Sequence, residues 1–157
     1  MEGEVVGFSF FTRNEEGMRT VQKEEIQRVI AKREVNSYKG DFGRLLLIGG
    51  TYPMGEAIIM AALAAVHSGA GLVTVATDPD NLTALHSHLP EAMGFDLADH
   101  ELLCEQLQKA GVILVGPGLK EARESQAILH MIFEHVSSQQ VLILDGGAIS
   151  LLVASSV

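Results

Sequence analysis

The sequence predicts an α/β domain, a mostly parallel sheet with helices on both faces. Short apolar runs of strand length alternate with helix-like segments along the chain, the βαβα order that a parallel sheet requires. The run Leu45–Ile48 is continuously apolar, as a strand covered on both faces needs. Three of the predicted strands end in glycine-rich turns, at Gly49-Gly50, Gly116-Pro117-Gly118 and Asp145-Gly146-Gly147.

The elements follow in order. Residues 1–19 show no period, and the cluster Arg13-Asn14-Glu15-Glu16-Gly17 is turn-like, so an arm or tail is expected there. From residue 20 onward the chain is read as one domain. Thr20 is placed to cap a helix running to about Arg33, with Ile26, Val29 and Ile30 at i, i+3 and i+4 on its inner face. A first strand is expected at Arg44–Ile48, then a helix from about Gly55 to Ser68. That helix carries Ala57, Ala61, Ala62, Ala64 and Ala65, whose small side chains allow close packing. Gly69 and Gly71 end it, and a second strand follows at Leu72–Ala76.

A short helix is expected near Pro79–His86 and a small strand near Ala92–Phe95. Asp99–Lys109 reads as a helix stopped by Gly111, and Val112–Val115 as a strand. Glu121–Val136 is amphipathic, with Ala122, Ile128, Leu129, Ile132 and Val136 facing the sheet. Val141–Leu144 is the last strand, and a further helix begins near Ala148.

Composition narrows the function classes. The chain has 157 residues, 47% of them hydrophobic, and a formal net charge of −9. That charge repels phosphate backbones and anionic membrane surfaces, so neither nucleic acid nor membrane is expected as a partner. Ala57–Thr77 is free of charged residues, but His67, Ser68, Gly69 and Gly71 interrupt it, which fits a helix and a strand in series better than a membrane span. Cys104 is the single cysteine, and the first residues lack a signal-peptide pattern, so a reducing, cytoplasmic setting is expected.

In a parallel sheet the three glycine turns fall on one edge, the edge at which open α/β sheets bind ligands. Turns without side chains expose backbone N–H groups, and the helices that follow offer positive N-termini, so together the turns suit a phosphate-bearing ligand. Taken singly, each glycine does no more than permit a tight turn. The chain lacks the phosphate-loop pattern G-x-x-x-x-G-K-[ST]. Gly116-Pro117-Gly118 starts like a dinucleotide fingerprint, but Glu121 stands where the third glycine belongs. Asp145, at the end of a strand expected to be central, is placed either to bind a hydroxyl or metal ion or to cap the next helix.

His86 and His88 form an H-x-H pair without an evident third ligand and read as a polar turn before Pro90. His130 and His135 read as surface residues and Cys104 as a small core residue. Lys39 and Asp41, around Gly40, make either a solvated turn or a local ion pair at the entry of the first strand.

Taken in order, several blocks resemble the NAD(P)H-hydrate dehydratases of the ribokinase-like superfamily. They are Lys39-Gly40-Asp41-Phe42-Gly43-Arg44, Ile48-Gly49-Gly50, Gly55-Glu56-Ala57, Ser68-Gly69-Ala70-Gly71-Leu72-Val73, Pro90-Glu91, Gly116-Pro117-Gly118-Leu119 and Leu144-Asp145. The resemblance spans about Thr20 to Leu152 and implies a ribokinase-like three-layer sandwich. It implies repair of hydrated NADH and NADPH, in which ADP or ATP, with Mg²⁺, phosphorylates the added hydroxyl and loss of the phosphate restores the nicotinamide. It also implies that Ala57 and Gly118 contact the hydrated dinucleotide, and that Gly49, Gly50 and Gly116 line the same cleft by backbone.

The chain departs from the family pattern at two points. Asp145-Gly146-Gly147 stands where the family has Asp-Ala-Asp, and Tyr38 where a His is common. The family's His-Pro-Gly-Glu, Lys-Gly and Gly-Thr-Gly-Asp segments, the last bearing the catalytic base, have no counterpart here. The expectation is therefore an N-terminal half of the domain, truncated, with no catalytic residue of its own and no activity alone. Two other readings compete with it. A hydroxyethylthiazole- or sugar-type kinase of the same superfamily is set against by the Lys39–Gly43 block followed by Gly55-Glu56-Ala57. A non-catalytic binding or self-associating remnant rests on the alanine-rich helix and an open sheet edge; with it goes the expectation of a homo-oligomer.

Overall fold

In the computed structural model, Lys23 and residues 34–154 are described. The expected arm over residues 1–19 and the helix over residues 20–33 lie outside them, apart from Lys23, which is helical. The chain divides into two compact units, Met1–Ser37 and Tyr38–Val157. In the first, Ser37 turns back on the chain, its Oγ donating to the Glu34 carbonyl at 2.7 Å.

The second unit is built on a five-stranded sheet: β1 (Arg44–Ile48), β2 (Leu72–Thr77), β3 (Met93–Asp96), β4 (Val112–Val115) and β5 (Val141–Leu144). Every pairing is parallel and the order is β3-β2-β1-β4-β5. The register sets Ile48 beside Ala76 on one side and Val115 on the other. β1 is therefore central, and the chain changes direction of growth between β3 and β4.

Among the described residues of this unit, four helices connect the strands, α1 (Gly55–His67), α2 (Leu82–His88), α3 (His100–Lys109) and α4 (Arg123–His135), and α5 (Gly147–Ala154) follows β5. Local chemistry fixes their ends. The Asp99 carboxylate accepts the Leu102 N–H at 3.0 Å and starts α3. α1 stops at Ser68, and Gly69 takes φ +96°, a conformation that suits a residue without Cβ. The segment expected as one short helix after β2 is a 3₁₀ turn, Pro79–Asn81, running into α2. Pro79 favours the tight turn and Asp78 caps it by accepting the Asp80 N–H at 3.0 Å.

The period-two alternation of strand side chains divides the core into two layers. Leu46, Ile48, Ile113 and Val115 meet Leu103 and Leu107 of α3, Ile128, Leu129 and Ile132 of α4, and Ala148 and Leu151 of α5. On the other face Leu47, Val73 and Val75 meet Ile58 and Ala62 of α1 and Leu85 of α2. The result is the three-layer sandwich the sequence predicts. Each fully buried Leu, Ile or Val contributes roughly 1.5–3 kcal/mol of transfer free energy. Among the described residues no buried side-chain nitrogen or oxygen lacks a partner, and no helix is long and apolar enough to cross a membrane.

The amino edge of the sheet explains the Lys39–Gly43 block. Gly71 donates to the Phe42 carbonyl at 3.1 Å and Leu72 to the Gly43 carbonyl at 3.0 Å. A Cβ on Gly71 would strike the Lys39 carbonyl oxygen, so the close approach requires glycine. Asp41 does not pair with Lys39; its carboxylate accepts the Tyr38 N–H at 3.0 Å and closes the 3₁₀ turn Lys39–Phe42.

Candidate functional site

The carboxyl ends of β1, β4 and β5 meet at the point where the sheet reverses its growth, the position at which open α/β sheets hold ligands. There the three glycine turns interlock. Gly50 donates to the Pro117 carbonyl at 2.8 Å, and Thr51 donates from its backbone to the Gly118 carbonyl, also at 2.8 Å. The Thr51 hydroxyl reaches the same Gly118 carbonyl at 3.0 Å and accepts the Lys120 N–H at 2.7 Å. Asp145 N–H, from the third turn, donates to the Val115 carbonyl at 3.0 Å.

The glycines permit this packing. A Cβ on Gly49 would run into the Pro117 carbonyl oxygen, one on Gly116 into the Asp145 carbonyl oxygen and one on Gly118 into the Met54 carbonyl oxygen. Gly116 and Gly118 also take positive φ, +125° and +64°. The chain itself takes up several N–H groups that a ligand was expected to meet. Gly49 donates to Ala76 at 3.1 Å, Gly50 to Pro117, and Gly116 to Ile48 at 3.0 Å. These three residues are buried. Gly118 is half-buried, and neither its N–H nor that of Gly146 is donated to a described residue.

Ala57 lies in the first turn of α1, half-buried, two residues after Gly55. That turn follows directly on Met54, whose carbonyl abuts Gly118, so α1 begins against the β4 turn. Met54 makes no side-chain cap, which leaves the first N–H groups of α1 free of a side-chain acceptor there.

Asp145 ends β5, which is an edge strand of the described sheet and not a central one. Its side chain is exposed and does not cap α5: Ala148 donates to the Asp145 main-chain carbonyl and Ile149 to that of Gly146, both at 3.0 Å. The carboxylate makes no hydrogen bond with a described residue, so it does not serve as the cap of the next helix.

Sequence reasoning missed a second support. Thr77, fully buried at the end of β2, donates its hydroxyl to the Gly50 carbonyl at 3.1 Å. Asn81 donates through Nδ2 to that carbonyl and, at 2.9 Å, to Thr77 Oγ. A Cβ on Gly55 would strike the Asn81 side chain. This clasp fixes the β1 turn from the β2 side. Because the β2 turn, Asp78-Pro79-Asp80-Asn81, has no glycine, the glycine pattern did not point to it.

The remaining candidates lie elsewhere. His86 and His88 are exposed on α2, a helix and not a turn, and His88 Nδ1 sits 2.9 Å from the Ala84 carbonyl. Cys104 is half-buried rather than in the core, with its Sγ 3.7 Å from Nε2 of His135 across α3 and α4. Among the described residues no three His, Cys, Asp or Glu side chains are placed to hold a metal. Asp145 alone does not make a site for Mg²⁺, and with the N–H groups of Gly49, Gly50 and Gly116 engaged the turns do not form a complete cradle for nucleotide phosphates.

Comparison with known proteins adds four findings. A family model described as NAD(P)H-hydrate dehydratase matches residues 45–156. The ADP-dependent (S)-NAD(P)H-hydrate dehydratase of Streptococcus pneumoniae is 54% identical over 139 residues, covering 88% of this chain and 48% of that protein. Among solved structures, a ribokinase-like superfamily protein from Enterococcus faecalis superposes with a TM-score of 0.85 at 42% identity, over 93% of this chain and 51% of its own. The ADP/ATP-dependent NAD(P)H-hydrate dehydratase of Bacillus subtilis, co-crystallised with ATP and Mg²⁺, gives a TM-score of 0.64 at 26% identity, over 81% of this chain and 45% of its own. The fold is thus ribokinase-like, and the chain spans about half the length of the curated relatives it matches.

Proposed function

Because the chain belongs to the NAD(P)H-hydrate dehydratase family, we propose that its carboxyl-edge turns form one wall of the cleft that holds hydrated NADH or NADPH during ADP-dependent repair. The observation that carries the reading is the interlock of the β1 and β4 turns at the reversal point of the sheet, with Ala57 and Gly118 beside it. The relatives named for this activity support the substrate class.

In this reading the residues divide by what the backbone leaves available. Gly49, Gly50 and Gly116 form the frame of the wall, because their N–H groups already hold the turns together. Gly118 offers its N–H, and Ala57 presents a small side chain at the start of α1, where a dinucleotide can approach without a steric barrier. Asp145 offers its exposed carboxylate to a substrate hydroxyl.

The wall orients and excludes water; the base and the nucleotide site belong to the remainder of the family's domain. The chain alone is therefore expected to bind without turning over. Titration with hydrated NADH, followed through backbone amide shifts, tests the reading. Ala57, Gly118 and Gly146 should move, and Asp145→Asn should weaken binding by roughly tenfold, the equivalent of about 1.4 kcal/mol. Equal responses to a thiazole alcohol or a sugar, or no response to hydrated NADH, would refute the substrate. Nucleotide-dependent recovery of NADH by this chain alone would refute the division of labour.

A further inference from the structure

Charge is spread unevenly over the carboxyl edge of the sheet. Every strand runs the same way, so the turns that follow β1 to β5 all open on that edge. Five Lys or Arg side chains occur over residues 38–154. Lys39 precedes β1, Arg44 begins it, and Lys109 ends α3 just ahead of β4, which sets these three at the amino edge. Lys120 and Arg123 remain for the carboxyl edge, and both follow β4, Lys120 in its turn and Arg123 at the start of α4.

The other side of β1 is acidic. The order β3-β2-β1-β4-β5 sets the β2 and β3 turns on one side of β1 and the β4 turn on the other. The β2 and β3 turns carry Asp78, Asp80, Asp96 and Asp99 with no Lys or Arg among them. Three of these carboxylates are held in place by backbone donors, Asp78 by Asp80 N–H at 3.0 Å, Asp96 by Ala98 N–H at 2.8 Å and Asp99 by Leu102 N–H at 3.0 Å. On the β4 side Glu121 and Glu124 accompany the two cations, so that segment is close to neutral while the opposite side is not. A ligand carrying phosphates is repelled from the first side and met by cations on the second.

Lys120 is also tied to the cleft wall. It stands two residues after Gly118, whose N–H is not donated to a described residue, and its own N–H is held by the Thr51 hydroxyl at 2.7 Å. The backbone that carries this side chain is therefore pinned, while the side chain itself is exposed, as is that of Arg123. Neither cation is ion-paired with a described residue. Resting on the reading of this edge as the wall of a hydrated-dinucleotide cleft, we propose that Lys120 and Arg123 bind the diphosphate of that ligand. The dinucleotide then lies with its diphosphate over the segment joining β4 to α4 and not over the β2 and β3 turns. Lysine supplies a mobile point charge, and arginine a planar fork that grips phosphate oxygens through two N–H groups.

Titrations of the whole chain with three ligands, followed through backbone amide shifts, test this. Inorganic pyrophosphate should move the amides from Gly118 to Arg123 and leave those from Asp78 to Asn81 in place. Hydrated NADH should do the same and move Ala57 as well. Lys120→Gln and Arg123→Gln should each weaken hydrated NADH by about three- to tenfold at low salt, with the loss shrinking as salt rises. Glu121→Gln, which removes a neighbouring carboxylate, should strengthen it. Arg44→Gln removes the same charge at the amino edge and should change the affinity by less than about twofold, which separates local contact from net charge. Hydrated, reduced nicotinamide riboside, which has no phosphate, should respond to none of the four substitutions. Equal losses in Arg44→Gln and Lys120→Gln, an equal loss for the riboside, or shifts centred on Asp78–Asn81 would overturn the proposal and leave the cleft standing wherever Ala57 and Gly118 still respond to hydrated NADH. A Lys120-dependent response to pyrophosphate with none to hydrated NADH would keep the cations as an anion site and remove the dinucleotide. Silence with both ligands would overturn both.

Discussion

Thr51 holds Gly118 twice. Its backbone N–H lies 2.8 Å from the Gly118 carbonyl and its hydroxyl 3.0 Å from the same oxygen. The hydroxyl also accepts the Lys120 N–H at 2.7 Å, so one side chain bridges both ends of the β4 turn. Removing it leaves a part-buried donor and acceptor unmatched. Thr51→Val should cost about 1–3 kcal/mol in urea unfolding, and Thr51→Ser should recover most of it. Equal midpoints for Val and Ser would show that the hydroxyl does not hold the turn.

The glycines separate into steric and conformational cases. Gly111→Ala meets nothing closer than the Arg44 carbonyl at 3.9 Å and should change stability by less than about 0.5 kcal/mol. Gly43→Ala has open space but φ +85°, and should cost roughly 1–2 kcal/mol. Gly49→Ala and Gly116→Ala drive a methyl into backbone that cannot move aside, and should cost more than Gly43→Ala or prevent folding. Thermal midpoints of the four variants give the order directly.

Thr77 and Asn81 act as one unit on the Gly50 carbonyl. Thr77→Val and Asn81→Ala should each destabilise by about 1–2 kcal/mol, and the double variant by clearly less than their sum. An additive double-mutant cycle would mean that the two side chains support the turn separately.

The Asp145 carboxylate makes no hydrogen bond with a described residue, so Asp145→Asn should leave the unfolding midpoint within about 0.5 kcal/mol. A larger loss would assign the residue to structure, not to ligand.

The sheet was legible because its strands are short apolar runs punctuated by glycine, and β1, β4 and β5 begin and end where the sequence places them. That helices cover both faces was legible too, because strands this continuously apolar need cover on both sides; which strand residue serves which layer is shown by the structure. What the sequence concealed was the use of the turn N–H groups. Glycine shows that backbone can come close, not what comes close to it; at Gly49 and Gly116 the neighbour is the chain's own carbonyl. The clasp of Thr77 and Asn81 was hidden because Thr in a strand and Asn in a turn are ordinary in both places. Likewise, β5 reads as a strand for a sheet interior, and only the topology sets it at an edge.

The bond between Thr51 and Gly118 joins positions 67 residues apart. Closing so long a loop is entropically expensive until β2, β3 and α3 have gathered the intervening chain. The latch between these turns is therefore expected to form late, after the folding barrier, so that weakening it hastens unfolding without slowing folding. In a chevron plot Thr51→Val should raise the unfolding limb and leave the folding limb in place. Because the wall assigned to the ligand carries this latch, a bound dinucleotide is expected to lengthen the lifetime of the native state more than it speeds its formation.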